Sequence, residues 1–524
     1  MDRTPAPSLR AHSRFGVVAS ADRRATAAGT AALRSGGTAV DAAIATNAML
    51  AVTGPHLCGL GGDLFALVHD GEQVHALNAS GRAGSGADAD AMRAEGLREM
   101  PLRHDLRAVT VPGCLDGWAA LHGRFGRLPL ADLLEPAIRA AEAGAEPSPL
   151  LVASVRLLDE RGRANLHELS EQATGRSALV RRPGVARVLR ALVSGGRDAC
   201  YGGEFGEGLL ELGAGLFAAE DLTRSSAEWV TPLCVDLAGG TLVTIPPNSQ
   251  GYLLLASALL AERWCPADGP EDPAVAHALI ECAKAVGRER PRLLHEHFDP
   301  AELLAAARAG RPGIDLQRAS SWTVPHAAGD TTYLCAVDAA GMGVSLIQSN
   351  ASGFGSWLVE PSTGINLHNR GLGFSLAPGH PAELGPGRRP PHTLAPALAT
   401  WADGSLRAVF GTMGGDAQPQ ILLQLARALL SRGTDPAAAV NAPRWILQGS
   451  TGGFDTWSGP AEPSVLLEPT AAPDLAESLT ARGHRVSVSP IGSTFGHAQA
   501  IVLTTDGATA GSDHRALIGS AEAA

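Results

Sequence analysis

Length, composition and charge indicate a large folded protein. The chain has 524 residues, 45% of them hydrophobic, and a net charge of -11 from 42 basic and 53 acidic residues. Such a chain can bury a large core, so a mainly disordered protein is excluded. The acidic balance and the lack of a basic stripe argue against nucleic acid as a partner. The first residues lack the apolar segment of a secretory signal, and the apolar run at 252–261 is too short to span a bilayer. We therefore expect a cytoplasmic protein without membrane contact.

Helical and strand-like patterns are mixed along the chain, with no internal repeat. Residues 300–330, rich in Ala, Arg, Gly and Pro, predict an exposed connector. Together the patterns predict one continuous α/β or α+β domain in which sheets lie between helices. Helices are predicted at 21–53, 115–145, 149–159, 208–213 and 274–288, and strands at 64–78, 229–245, 332–349, 405–411 and 498–505.

Residues that could bind metal are few. Seven widely spaced cysteines with no CxxC pair predict buried or free thiols rather than a disulfide framework or a zinc site. His295, Glu296 and His297, with Asp299, form the one ligand-like cluster in the sequence. They follow a helical run and lie in a polar segment, which favours a solvated loop. We expect no metal and no cofactor.

A hairpin at 332–349 brings two hydroxyl groups together. A strand at 332–337, a turn at 338–341 and a second strand at 344–347 predict a pairing in which Val337 faces Met342. Thr331 then faces Gln348 or Ser349. An ordinary core hairpin that happens to end in hydroxyls is the alternative interpretation of this segment alone.

Thr331 has the chemistry of a nucleophile if the chain is cut before it. A threonine hydroxyl needs an adjacent base, and the threonine's own α-amine becomes available when the Asp330–Thr331 bond is cleaved. That amine has a reference pKa of about 7.7 to 8.0, so much of it accepts a proton near neutrality. We therefore predict autocatalytic cleavage at Asp330–Thr331, with Thr331 as the new amino terminus.

Short motifs follow one another along nearly the whole chain. They are GGTAVDAAIA at 36–45, GPHLCGLGGDLF at 54–65, VPGCLDGW at 111–118, GRLPLADLLEPAIRAAEAG at 126–144, DTTYLCAVDAAG at 330–341, STGINLHN at 362–369, MGG at 413–415, NAPRW at 441–445 and GSDHR at 511–515. In their order and sequence they resemble the motifs of the γ-glutamyltranspeptidase family. The resemblance implies an N-terminal nucleophile hydrolase (Ntn hydrolase), an α+β fold with an αββα sandwich. It also implies a precursor cut into a large subunit, 1–330, and a small subunit, 331–524, which together form one structural domain.

The resemblance implies roles for four catalytic residues. Thr331 matches the nucleophile, and Ser349 takes the place of a threonine that supports it. Gly414 and Gly415 match the pair whose backbone N–H groups form the oxyanion hole, where glycine permits close approach to developing negative charge. An ordinary turn after a strand is the alternative interpretation of the glycine pair.

Other positions depart from the family pattern and concern the substrate. Gly373 stands where transpeptidases place an aspartate that binds the substrate's α-ammonium, so that anchor is absent. His392 and Thr393 stand where the family presents paired serines to the α-carboxylate. Ser80 aligns with the arginine that clamps this carboxylate, and nearby Arg82 is predicted to substitute for it.

Three further residues complete the predicted substrate site. Asn350, in the sequence QSN, is also assigned to substrate binding. Arg388 and Arg389 are additional cationic candidates, although surface positions are usual for arginine. Arginine binds carboxylates bidentately, so a small anionic substrate is expected.

The sequence therefore predicts a hydrolase that cleaves off a small acidic acyl group through an acyl-threonine intermediate, and it leaves open whether that group is also transferred to an amine. The sequences QSN, NRG and RRPPHT resemble a divergent branch that includes oxamate amidohydrolases. One alternative is a carbon–carbon bond hydrolase that releases an oxalyl-type fragment in antibiotic biosynthesis through 4-alkyl-proline precursors. A second alternative is a non-catalytic metabolite-binding homologue. A homodimer of processed units is left open.

Overall fold

Two seven-stranded sheets, each assembled from strands far apart in the sequence, form the centre of the molecule. The computed structural model describes residues 8–175, 179–237, 239–266, 272–321, 331–448, 464–490 and 492–524. Asp330, the first residue of the predicted cleavage site, lies outside these described residues.

The strands come from both sides of residue 331. They are β1 Arg10–Ser13, β2 Gly16–Ser20, β3 Asp63–His69, β4 Val74–Ala79, β5 Glu228–Val230, β6 Leu233–Leu237, β7 Gly240–Thr244, β8 Thr332–Asp338, β9 Gly343–Ser349, β10 Leu358–Val359, β11 Asn366–Leu367, β12 Ala397–Thr400, β13 Leu406–Thr412, β14 Trp445–Gln448, β15 Ser464–Leu467, β16 Val486–Val488, β17 Ala498–Thr504, β18 Gly507–Ser512 and β19 Ser520–Ala523. The first sheet has the order β1-β18-β17-β13-β12-β7-β6, and the second β19-β2-β8-β9-β3-β4-β5. Strands β10-β11 and β14-β15-β16 form two small sheets.

Several helices pack on the outer faces of the two large sheets, while α3, α6 and α8 contribute to smaller separate cores. The helices are α1 Arg23–Arg34, α2 Ala39–Thr53, α3 Ala89–Ala94, α4 Cys114–Phe125, α5 Leu130–Ala143, α6 Pro149–Arg156, α7 Glu160–Asn165, α8 His167–Thr174, α9 Pro183–Tyr201, α10 Glu204–Leu212, α11 Ala219–Thr223, α12 Tyr252–Trp264, α13 Pro273–Gly287, α14 Arg290–Leu293, α15 Ala301–Arg308, α16 Gln418–Ala426, α17 Pro436–Asn441 and α18 Pro473–Ala481. Among the described residues, none of these helices is long and apolar enough to cross a membrane. The cytoplasmic location stays a prediction.

Three hydrophobic cores give the molecule its layers. Helices α1, α2, α4, α5 and α9 pack on the outer face of the second sheet. Helices α12, α13 and α16 pack on the outer face of the first sheet. Phe65 and Tyr333 of the second sheet meet Val243 and Val409 of the first in the core between the sheets. Because strand side chains alternate between faces, each large sheet contributes to two cores. The predicted αββα sandwich is confirmed.

Local chemistry explains where the observed elements differ from the predicted ones. The pattern at 21–53 is two helices, because Gly36 has a φ of 86° and a capping box of Thr38 and Asp41 begins α2. Close packing of α1 on α2 depends on Gly29, where a Cβ would lie 2.1 Å from Thr46 Oγ1.

Two further sequence predictions need correction. The connector predicted at 300–330 is helical in part, because the alanine- and leucine-rich Ala301–Arg308 forms α15. In the hairpin of β8 and β9, Val337 pairs with Gly343 rather than Met342. All seven cysteines are free thiols, as predicted.

Candidate active site

The hydroxyl groups of Thr331 and Ser349 are in contact at the start of β8. Thr332 pairs with Gln348 in the antiparallel ladder, which places Thr331 opposite Ser349. The distance between Thr331 Oγ1 and Ser349 Oγ is 3.0 Å, and both residues are 1% exposed. Ser349 Oγ also accepts the Ala351 N–H at 2.8 Å, which allows it to donate its own proton to Thr331. The predicted proximity is confirmed, whereas the catalytic roles stay predictions.

A carboxylate lies beside this pair on the same face of the sheet. Asp63 of β3 pairs with Ser349 of β9, so Thr331, Ser349 and Asp63 are neighbours across three strands. Because side chains alternate along a strand, these three lie on the same face of the sheet as Phe65 and Tyr333, which are buried between the two sheets. The hydroxyl pair therefore lies between the sheets, next to a buried acid.

Histidines hold this acid in its ionised form. Asp63 accepts hydrogen bonds from the Gly81 N–H at 2.9 Å and from His392 Nε2 at 3.0 Å, and His368 Nδ1 is 3.6 Å away. Burial alone would raise the pKa of Asp63, but His368, His392 and Arg370 lower it to about 2. Burial lowers the pKa of His392 to about 3, and Arg370 contributes to this lowering. At neutral pH, Asp63 is charged and His392 is neutral.

The glycine pair follows the strand that lies over Thr331. A Cβ on Gly411 of β13 would lie 2.1 Å from Tyr333 Cε2, so this glycine allows β13 to pack directly on β8. Met413 comes two residues after Gly411, just past the end of β13, and Thr331 comes two residues before Tyr333, just ahead of β8. Gly414 has a φ of 138° and Gly415 a φ of 54°, backbone conformations that favour glycine. The predicted oxyanion residues are thus at the end of β13, beside the start of β8.

Two side chains that precede residue 331 in the sequence support the glycine pair. Gln250 Nε2 donates to the Gly415 carbonyl at 3.0 Å and to the Thr393 carbonyl at 2.9 Å. Arg290 Nε donates to Gln250 Oε1 at 2.9 Å, and Arg290 Nη2 donates to Asp416 Oδ1 at 2.5 Å. All these side chains are buried. Sequence reasoning did not find them, because they come from distant segments without a shared motif.

Arg370 is a second element that sequence reasoning missed. It is 1% exposed, and its Nη1 donates to Thr393 Oγ1 at 3.1 Å. Burial lowers the pKa of Arg370 to about 10, while Asp63 and Asp416 favour its charged form. The guanidinium is therefore a cation at neutral pH. In the sequence, only the segment NRG draws attention to Arg370. An arginine on the protein surface could occur in the same segment, so the sequence alone does not show that Arg370 is buried.

The arginines predicted to bind substrate are engaged with acids. Arg82 forms ion pairs with Glu228 at 2.8 Å and Glu296 at 3.4 Å. Arg389 is buried rather than on the surface; it contacts Glu228 at 3.1 Å and Ser80 Oγ at 3.1 Å. Arg388 contacts Glu296 at 3.2 Å. Acidic partners therefore already balance the charge of Arg82, which weakens its predicted role.

Two further positions of the predicted substrate site, Asn350 and Gly373, are closely surrounded by other parts of the chain. Asn350 donates from Nδ2 to the Pro55 carbonyl at 3.2 Å, and its buried Oδ1 has no hydrogen-bond partner in the described part of the chain. A Cβ on Gly373 would lie 2.5 Å from the Pro391 carbonyl oxygen. The chain thus has no room at Gly373 for the aspartate of transpeptidases.

The predicted ligand-like loop is not where metal-ligating side chains meet. Glu296 accepts from arginines instead, as described above. Within the described ranges, His277, Glu281 and His484 are the group whose ligand atoms all lie within 4.8 Å of one another. Lys284 Nζ is 2.9 Å from Glu281 and 3.2 Å from His484 Nδ1, and His277 and His484 are 2.8 Å apart. The lysine ammonium already supplies the positive charge at this cluster.

Comparisons with known proteins identify the family. The model of the family described as Gamma-glutamyltranspeptidase matches residues 25–523. The chain is 35% identical over 521 residues to the oxamate amidohydrolase proenzyme of Klebsiella pneumoniae, covering 94% of this chain and 96% of that protein. It is 31% identical to the acylase ACY 1 proenzyme of a Pseudomonas species, covering 95% and 91%. The cephalosporin acylase structure from Bacillus halodurans matches with a TM-score of 0.88 at 32% identity, covering 100% and 99%.

The layered fold and these structural matches define the chain as an Ntn hydrolase. It belongs to the γ-glutamyltranspeptidase family, as the match over residues 25–523 shows. Its relatives are named as hydrolases and acylases, so it is an enzyme of the amidohydrolase type. Relatives named as proenzymes imply that the chain is a precursor of separate subunits.

Proposed function

We propose that the precursor cuts itself before Thr331 and that the new amino-terminal Thr331 hydrolyses the amide of a small acidic acyl group. The observation that carries the proposal is the 3.0 Å contact between Thr331 Oγ1 and Ser349 Oγ, buried between the sheets at the start of β8. Because β8 begins at the next residue, the Thr331 hydroxyl is held against Ser349 Oγ, a group that can donate a proton to it. The subunits would be residues 1–330 and 331–524.

The proposed reaction transfers the acyl group in two steps. Thr331 Oγ attacks the amide carbonyl, and its proton passes to the α-amine of Thr331. The N–H groups of Gly414 and Gly415 stabilise the negative charge on the carbonyl oxygen, while Ser349 donates to Thr331 Oγ. The C–N bond breaks as the amine leaving group takes the proton from the α-ammonium. Water then attacks the acyl-threonine ester and releases the acid and the free hydroxyl.

The chain's own residues favour an acyl group without an α-ammonium. Gly373 has no room for the side chain that would bind this group, because the Pro391 carbonyl lies against it. The relatives at 35% and 32% identity are named for an oxamate amidohydrolase and a cephalosporin acylase. A small amide bearing a carboxylate fits both this departure and the first relative. Thr331 is 1% exposed in the uncut chain, so cleavage must also open access to it.

Two alternative functions are compatible with the same site residues but predict a different reaction outcome. A carbon–carbon bond hydrolase, with a role in antibiotic biosynthesis, would use the same attack of Thr331 on a ketone-type carbonyl and release a stabilised carbanion. A non-catalytic homologue would leave the chain inert. The family's hydrolases and acylases make amide hydrolysis the first function to test.

Intact mass of the purified protein and of Thr331→Ala tests the proposal. We expect the wild type to give two fragments that begin at residues 1 and 331, and the variant to stay whole. The cut protein is then given oxamate, small acidic anilides and the matching ketones. An acyl adduct on the 331–524 fragment identifies Thr331 as the nucleophile. If the wild type stays whole, or is cut but never acylated, the proposal is wrong.

A further inference from the structure

Two of the family motifs, NAPRW at 441–445 and GSDHR at 511–515, meet in a buried ionic network that the proposed reaction does not use. Arg444 Nη2 donates to Asp513 Oδ2 at 2.6 Å, and Arg515 Nη1 donates to Asp513 Oδ1 at 2.9 Å. Arg515 Nε also donates to Glu468 Oε1 at 2.6 Å, and Glu468 Oε2 accepts the Arg444 N–H at 2.8 Å. Two arginines and two acids therefore balance one another, and each is at most 3% exposed.

Arg444 and Asp513 also hold the backbone just ahead of β17. Arg444 Nη1 donates to the carbonyl oxygen of Phe495 at 2.7 Å and to that of Gly496 at 3.2 Å. Asp513 Oδ2, which accepts from the same arginine, also accepts the Ala498 N–H at 2.9 Å. Because one ion pair reaches this short stretch of backbone at three points, the position of the stretch depends on it.

The same backbone contacts Met413, the residue immediately before the glycine pair. The Met413 N–H donates to the His497 carbonyl at 3.2 Å. A Cβ on Gly496 would lie 2.4 Å from the Met413 carbonyl oxygen, so the two backbones are in direct contact there. The Met413 carbonyl and the Gly414 N–H belong to one planar peptide unit, in which they point in opposite directions. The contact with Gly496 therefore limits where the Gly414 N–H can point.

Building on the proposed function, we infer that Arg444 is a positioning residue of the oxyanion hole and sets the direction of the Gly414 N–H through the backbone contact just described. A donor that is aimed before the reaction begins stabilises the charge on the carbonyl oxygen without having to reorient first. This charge develops only in the transition state, so a poorly aimed donor lowers kcat far more than it changes KM. Gln250 holds the carbonyl of the second glycine, and the two residues thus act on different parts of the hole.

Arg444→Lys and Arg515→Lys separate the aim of the donor from the stability of the network. A lysine keeps the positive charge beside Asp513, but its single ammonium cannot span the acid and two carbonyls as a guanidinium does. Arg515 pairs with the same acid, yet its backbone acceptors in the described part of the chain are the carbonyls of Val440 and Ala442. We expect Arg444→Lys to lower kcat by about 10- to 100-fold with KM within about 3-fold, because loss of a whole oxyanion donor costs about 100- to 1,000-fold. Arg515→Lys should lower the unfolding temperature and keep kcat within about 3-fold.

Gly496→Ala and Gly433→Ala test the same contact from the backbone side. The two glycines have φ values of 76° and 64°, so an alanine is similarly strained at both positions. Among the described residues nothing lies within 4 Å of a Cβ on Gly433, whereas a Cβ on Gly496 would press on the Met413 carbonyl. We expect Gly496→Ala to lower kcat by about 10-fold or more and Gly433→Ala to keep it within about 2-fold.

Each protein is checked by intact mass for cutting before Thr331 and is then assayed with the mono-p-nitroanilides of oxalic and succinic acids. If the wild type is not cut or forms no acyl adduct, the proposed function fails and the inference fails with it. If the wild type is active but Arg444→Lys and Gly496→Ala keep its kcat, only the inference is wrong. An equal loss of kcat in Arg515→Lys or Gly433→Ala also overturns it, since the network would then act on the fold as a whole. If one of Arg444→Lys and Gly496→Ala is not cut, the other decides; if neither is cut, the contact governs maturation instead of the oxyanion hole, and the inference is wrong.

Discussion

Gln250 should control the rate of the chemical step although it lies outside the reacting atoms. The change that tests this is Gln250→Glu, which keeps the size of the side chain and the oxygen that accepts from Arg290. The substitution replaces the amide nitrogen with a carboxylate oxygen, which cannot donate. In the wild type this nitrogen donates to the carbonyls of Gly415 and Thr393 at 3.0 Å and 2.9 Å. Gly415 has a φ of 54°, and because glycine lacks a side chain its backbone can adopt many other conformations. Without this bond, its peptide is free to turn away from the oxyanion.

The expected size of the effect follows from the two lost hydrogen bonds. Each is worth about 1 kcal/mol net, so reordering the released backbone raises the barrier by up to about 2 kcal/mol. This corresponds to a fall in kcat of about 30-fold. KM should change by less than about 3-fold, because the glycine N–H groups act mainly on the transition state. The assay is steady-state hydrolysis of a chromogenic acidic anilide by fully cut protein, with the active sites counted by mass.

Gln424→Glu is the matched control. Gln424 Nε2 also donates to two backbone carbonyls, those of Gln420 at 3.1 Å and Trp445 at 2.9 Å. It lies within α16, away from the glycine pair. This variant should lose stability without losing kcat. The reasoning is refuted if Gln250→Glu keeps its kcat, or if Gln424→Glu loses as much.

Two other predictions concern stability. Gly411→Ala should lower the free energy of unfolding by about 1 to 3 kcal/mol and slow cleavage, because its methyl group would collide with the Tyr333 ring. Gly123→Ala, on the exposed side of α4 with open space around it, should instead raise stability by up to about 1 kcal/mol, and thermal unfolding of both variants checks the contrast. The free energy of unfolding should also fall as the pH drops below about 6.5, because the unfolded chain then binds protons that buried histidines refuse in the fold. Each such histidine contributes a slope of about 1.4 kcal/mol per pH unit, and urea unfolding that is unchanged between pH 7 and pH 5 would contradict this. The residues are fully buried histidines whose pKa burial lowers to about 3, 3 and 4, namely His56, His392 and His497.

The sequence predicted those features that depend on local patterns. The hairpin of β8 and β9 was predictable because two nearly continuous apolar runs joined by a short turn indicate paired buried strands, and this pairing places Thr331 opposite Ser349. The shift from Met342 to Gly343 at the turn was not predictable, since either residue closes the hairpin. The order of the family motifs predicted the αββα sandwich, whose strand order no local pattern specifies.

The surroundings of the nucleophile were harder to predict, because they depend on contacts between distant segments. Arg82 was assigned to substrate by its nearness in sequence to Ser80, whereas Glu228 and Glu296 reach it from elsewhere in the fold. Arg370 and Gln250 have no neighbours in sequence that mark them. Only the folded chain reveals that both contact Thr393.

The site is assembled from both proposed subunits, and this constrains how cleavage can act. Asp63 and Gln250 precede residue 331, while Ser349 and the glycine pair follow it. Strand β8, which would begin the small subunit, pairs with β2 on one side and with β9 on the other. The first sheet likewise joins β7, which precedes residue 331, to β12, which follows it. Separation of the fragments would break both ladders and expose the core between the sheets. A cut before Thr331 would therefore leave these groups in place and change what is bonded to the Thr331 nitrogen. Because Thr331 is 1% exposed in the uncut chain, the proposed activation combines this chemical change, the new amine, with a local opening that gives a substrate access to the hydroxyl.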